Sequence, residues 1–124
     1  MSSHTELIVW QRAMALVTVI YKMTTSFPKH EMFGLTSQIQ RSAVSIPSNI
    51  AEGRSRGTRK DFCQFLHIAL GSCAELETQI EIARSLSYGD KGMYNEIEQA
   101  TAEIFRMLRA MLAKLESKTL SAKP

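Results

Sequence analysis

The 124-residue chain holds two cysteines, too few for the disulfide framework that staples small secreted folds. No apolar run nears the ~18 residues a membrane span requires. The opening MSSHTELIVWQR lacks both a basic n-region and a long apolar h-region, so the expectation is a cytoplasmic protein with no signal peptide and no membrane contact. Aromatics make up 7% of the chain, with a single tryptophan. No glycine-rich phosphate loop and no G-x-S-x-G elbow occurs. Segments rich in valine and threonine with clean two-residue alternation are also missing, which argues against strands.

What is present is long-range apolar periodicity. Hydrophobic residues form 44% of the sequence, enough for one packed domain. Glycine and proline cluster at residues 26–29, 53–58 and 87–92. Gly accepts positive φ and Pro cannot continue a helix, so these clusters read as breaks. Each of the four segments between them repeats apolar or small residues alternately four and three apart. The first carries Val9, Ala13, Leu16, Ile20, Met23 and Phe27. The second carries Met32, Thr36, Ile39, Ala43, Ile46 and Ile50. The third runs Phe62, Leu66, Ala69, Cys73, Leu76, Ile80, Ala83, and the fourth Tyr94, Ile97, Thr101, Ile104, Leu108, Met111, Leu115. A 3.5-residue repeat keeps one stripe of a helix facing its partners. Four such helices with short connections predict an all-α, antiparallel up-down-up-down four-helix bundle over residues 1–116, with a frayed tail at 117–124. Thr58 followed by Asp61 marks the start of helix three, Gly89 suits a position just past its end, and Asp90 suits the start of helix four. Pro47 interrupts the second stripe, and because the stripe keeps register on both sides, a kinked but continuous helix two is expected over two short ones.

The apolar pattern is wider than one core stripe. Phe65, Ile68, Ser72, Glu75, Gln79, Ile82 and Leu86 form a flanking row on helix three. Trp10, Met14, Val17 and Tyr21 flank helix one, and Met93, Phe105, Met107 and Leu112 flank helix four. Such width predicts contact with further copies or with a protein partner. The plainer alternative is a broad core with ordinary exposed apolar residues.

Net charge is only +3, but it is unevenly spread. Residues 32–60 carry five bases against Glu52, residues 61–103 eight acids against Arg84 and Lys91, and residues 104–124 five bases against Glu116. In an up-down bundle the turn between helices two and three shares an end with the last turns of helix four. Arg54, Arg56, Arg59 and Lys60, joined by Lys114 and Lys118, are therefore the candidate residues for binding RNA or DNA phosphates, helped by the positive end of helix three. The alternative is a solvated turn and a lysine-loaded helix C-terminus. Cys63 and His67 have metal-compatible spacing, but zinc needs two more ligands and His4 and His30 lie far off, so no metal or other cofactor is expected. Glu77 and Glu81 make an ordinary surface pair, and no catalytic residues are assigned.

Residues 34–83 and the opening LIVWQRAMALV at 7–17 resemble a known family, the bacterial proteins named for reading frames in intervening sequences of 23S ribosomal RNA genes. The most specific parts are Ile46-Pro47-Ser48-Asn49-Ile50-Ala51-Glu52-Gly53, Leu70-Gly71-Ser72 and Glu75-Leu76-Glu77-Thr78-Gln79. The resemblance implies a single antiparallel four-helix bundle without an established enzymatic activity, in some members a five-fold ring, here a homopentamer. It is also similar to the accessory subunit of diversity-generating retroelements, a basic pentamer that engages nucleic acid. Pro47, Ser48, Asn49, Glu52, Gly53 and Glu75 match family positions as structural residues. On that resemblance Ser48 and Asn49 are expected to satisfy groups freed by Pro47, and Arg41 to meet Glu75 across the helix two–three hairpin, unless they face solvent.

Overall fold

A computed structural model of the protein describes residues 3–121, with side chains as far as Ser117. Four helices follow one another: α1 (Ile8–Thr24), α2 (Leu35–Ser55), α3 (Arg59–Ser85) and α4 (Lys91–Ser121). Short 3-10 turns precede α1 (His4–Glu6) and α2 (Lys29–Glu31). Each helix packs on its two neighbours in the cyclic order α1-α2-α3-α4, and among the described residues the backbones of the diagonal pairs stay apart. Cross-helix bonds fix the directions. Arg12 of α1 pairs with Glu103 near the middle of α4 while Leu16 and Val19 further along α1 lie beside Ile97 and Ala100, Ser42 and Ser45 of α2 meet Glu75 and Ser72 of α3, and Arg84 of α3 meets Glu98 of α4. The architecture is the expected all-α, up-down-up-down bundle. Among the described residues no helix is long and apolar enough to cross a membrane.

The 3.5-residue stripes form the core. Every stripe residue of α1 and α3 is buried, and in the second segment so are Ile39, Ala43, Ile46 and Ile50. Each buried aliphatic side chain is worth roughly 1.5–3 kcal/mol against exposure. Met32 departs from the pattern and is 54% exposed. The reason is local, since α2 begins only at Leu35, after Gly34, so Met32 lies in the connection and not on the helix. Gly53 likewise is no breaker, because it lies buried inside the last turn of α2. Helix α2 runs unbroken through Pro47, whose ring is buried.

The caps divide similarly. Thr58 Oγ1 accepts the Asp61 N–H at 3.1 Å and Asp90 Oδ1 accepts the Gly92 N–H at 2.8 Å, starting α3 and α4. The left-handed residue that closes α3 is Ser87, at φ 60°, rather than Gly89. The N–H groups of Ser87 and Tyr88 return to the carbonyls of Arg84 and Ala83, satisfying two orphan acceptors. Gly89 also has positive φ, and it serves close packing on Phe27. Helix α4 continues past Glu116 to Ser121, through the start of the expected tail. Residues 122–124 of that tail lie outside the described residues.

The α1–α2 connection is pinned by Glu31. Its carboxylate accepts the Leu35 N–H at 3.1 Å and the Tyr88 hydroxyl at 3.0 Å. These bonds, the backbone one first, hold the Glu31 carboxyl below the usual carboxylate range. A carboxyl whose folded pKa is depressed stabilises the fold above its unfolded pKa and loses that contribution as pH falls through the folded value. We therefore expect Glu31→Gln to lower the urea midpoint at pH 7, with the difference shrinking below about pH 4. A pH-independent difference would contradict the assignment.

Candidate nucleic-acid interface and the α2–α3 seam

The antiparallel directions bring the start of α1, the α2–α3 turn and the C-terminal turns of α4 to one end. His67 Nε2 of α3 lies 3.3 Å from Glu116 Oε1 of α4, which fixes the heights. Arg54, Arg56, Arg59 and Lys60 all lie on or beside the α2–α3 turn. They are not equivalent. The Arg54 guanidinium stacks on Phe62 at 5.4 Å and that of Arg56 on Phe65 at 5.1 Å. Arg56 Nε also donates to Glu52 Oε2 at 3.1 Å. Arg59 and Lys60 are exposed on the first turn of α3, where the helix dipole is positive. Lys114 is exposed but stands two residues inside the Glu116–His67 level, roughly 14 Å along the axis from Lys60 at 1.5 Å per residue. The side chain of Lys118 lies outside the described residues.

The motif residues of α2 and α3 meet in a polar seam. Ser45 Oγ and Ser72 Oγ share a hydrogen bond of 2.8 Å, and Ser42 Oγ donates to Glu75 Oε1 at 3.2 Å. Asn49 Nδ2 donates to the Ser45 carbonyl at 2.8 Å and to its hydroxyl at 2.9 Å. Asn49 thus does bond a backbone carbonyl near Pro47, although not that of Ala43, and Ser48 is exposed. The expected Arg41–Glu75 ion pair is not formed, because Ser42, one position along α2, points at α3 and takes the carboxylate. Arg41 instead lines a groove of about 430 Å³ with Gln38, Ser42, Ser45, Glu75 and Gln79. Gln79 is 7% exposed and its Oε1 is buried without a hydrogen-bond partner.

Gly53 lets α2 and α3 close on each other where the seam reaches the basic end. A Cβ there would lie 2.6 Å from Phe65 Cβ and 3.2 Å from Phe62 Cδ1. Close approach thus positions the two phenyl rings on which Arg54 and Arg56 stack. Sequence reasoning singled out Gly53 and Glu75 but passed over Ser42 and Ser45. The available signal was their spacing, seven and four residues before Asn49 on one helical face.

The Cys63 thiol is pushed up by burial and by Glu116, and Cys73 by burial to about 12, so neither is an activated nucleophile. His67 faces Glu116, and among the described residues no three His, Cys, Asp or Glu side chains gather to hold a metal. At the far end the neighbouring Glu98 carboxyl raises the pKa of the Glu81 carboxyl, while Arg84 bridges both at 3.5 and 2.6 Å.

Of the flanking rows, Met14, Tyr21, Ile68, Ile82 and Leu86 remain exposed, while Ser72, Gln79 and Leu112 are buried.

The family model described as 23S rRNA-intervening sequence protein matches residues 5–110. The chain is also similar to a crystal structure of a protein with unknown function from the S23 ribosomal protein family of Bacteroides thetaiotaomicron VPI-5482. That similarity has a TM-score of 0.75 at 28% sequence identity and covers 85% of this chain and 98% of the other. No curated protein matches the chain.

Proposed function

Because the chain belongs to the 23S rRNA-intervening sequence protein family, we propose that it is a non-catalytic cytoplasmic assembly module. In this reading it self-associates, with a pentamer as the favoured form, and its α2–α3 end binds nucleic-acid phosphates. The observation that carries the binding part is the concentration of Arg54, Arg56, Arg59 and Lys60 on one turn at the positive end of a 27-residue helix. Stacking on Phe62 and Phe65 orders two of these guanidinium groups beforehand, which lowers the entropy lost when a phosphate docks.

If four phosphates are neutralised per engaged subunit, log K should fall against log salt with a slope of roughly −3.6 on duplex DNA. Arg59→Ser with Lys60→Ser, which leaves the stacked arginines in place, should make that slope shallower by about 1.8. Fluorescence anisotropy with labelled RNA and DNA measures both. No binding at low salt, or binding with no salt slope, removes the nucleic-acid part. A protein-docking scaffold is the second reading, favoured by the exposed apolar residues of the α1–α2 connection and of α3. Capture of a defined protein partner that survives nuclease treatment supports it.

A further inference from the structure

We propose that copies of this chain join head to tail, Phe33 of one copy inserting into the groove between α1 and α4 of the next. The proposal rests on the self-association put forward above and assigns its contact. Phe33 is 94% exposed, and its exposure is imposed rather than incidental. The turn that carries it is held by the Gly34 N–H on the Glu31 carbonyl at 2.9 Å and by the two bonds to the Glu31 carboxylate. Phe27 packs against Tyr88 beneath it, with ring centroids 5.5 Å apart. An aromatic side chain on a preorganised turn is the kind of group that anchors an interface, since little ordering entropy remains to be lost.

The complementary feature lies elsewhere on the same chain. Between α1 and α4 runs a groove of about 280 Å³, lined by Leu16, Val19, Ile97 and Ala100 and rimmed by Arg12, Glu96 and Glu103. An apolar cavity of about 150 Å³ already admits a benzene ring. Arg12 and Glu103 pair with each other at 2.6 Å. Glu96 is exposed and has no ion-pair partner among the described residues, and the same holds for Lys29, four residues before Phe33. The groove is thus large enough for a phenyl ring, and its rim carries an unpaired charge opposite in sign to that of Lys29.

They also sit on different surfaces, one on the end connection and one on a lateral face. Phe33 of one copy fills the next copy's groove and leaves that copy's own Phe33 for a third. The contact is heterologous, and it closes into a ring or runs on as a filament.

Light scattering coupled to size exclusion tests this. Wild type should exceed one chain in mass, while Phe33→Ser, which removes the knob, and Ala100→Trp, which fills the hole, should each run at 13.9 kDa with unchanged helicity. Mixed one to one they should form a two-chain species and stop there, because Phe33→Ser retains a hole and Ala100→Trp a knob. Should Ala100→Trp misfold, Lys29→Glu should reduce the assembled mass and Lys29→Glu with Glu96→Lys should restore it. An assembled wild type whose mass Phe33→Ser leaves unchanged overturns this contact while self-association stands. A wild type that remains a single chain overturns both.

Discussion

Gly53→Ala is expected to lower the free energy of unfolding by about 1–3 kcal/mol, although alanine is the better helix former. Replacing a helical glycine by alanine ordinarily gains roughly 0.5–1 kcal/mol from backbone entropy. At Gly53 the new methyl meets Phe65 Cβ at 2.6 Å. That atom is bonded directly to the α3 backbone, so no rotamer change moves it aside, and the helices must part. Parting them loosens the Ser45–Ser72 bond and the packing of Phe62. Gly71→Ala is the matched control. Gly71 is exposed in mid-α3, and a Cβ there has no neighbour within 4 Å, so the ordinary gain of roughly 0.5–1 kcal/mol should appear. Urea midpoints at one fixed chain concentration, which holds any assembly contribution constant, measure the pair. A midpoint raised by Gly53→Ala would contradict the close approach of α2 and α3.

Leu76→Ala should cost about 2–5 kcal/mol, a large share of the ~5–15 kcal/mol that holds a domain folded. Leu76 is 0% exposed on the face of α3 that turns inward. Truncation removes apolar contacts and leaves a cavity that neighbouring helices fill only in part. The residue before it behaves differently. Glu75 is exposed and accepts one bond, from Ser42 at 3.2 Å, so Glu75→Ala should cost only about 0.5–1.5 kcal/mol. Equal losses at the two positions would show that the seam's carboxylate-and-hydroxyl network, and not the stripe, carries α3. Chemical denaturation of both variants separates the cases.

The contrast at 75 and 76 explains what was legible beforehand. Burial on a helix follows from angular position, and a 3.5-residue repeat specifies that position from residue types alone. The stripes of α1 and α3 and the caps Thr58 and Asp90 rest on such local rules, which is why they could be read directly. Met32 and Gly53 went astray because both depend on where α2 begins and ends. Gly34 and the Glu31 carboxylate decide the one, and the fit against Phe62 and Phe65 decides the other.

The candidate site divides in the same way. That four bases share one turn was legible as soon as the helices were counted. That Arg54 and Arg56 are stacked while Arg59 and Lys60 stand free of the rings, and that Lys114 lies back along the bundle, depends on which side chains meet across helices. So does the replacement of an Arg41–Glu75 pair by Ser42, where one residue of rotation, about 100°, selects the partner.

By itself the sequence determined the class of fold, the number of helices, their order and the inward face of each, because these follow from periodicity and short connections within single segments. Only the tertiary structure decided the partners across the α2–α3 seam, the exposure of Phe33 and the groove between α1 and α4. Those depend on distances between segments remote in the chain, which no local pattern encodes.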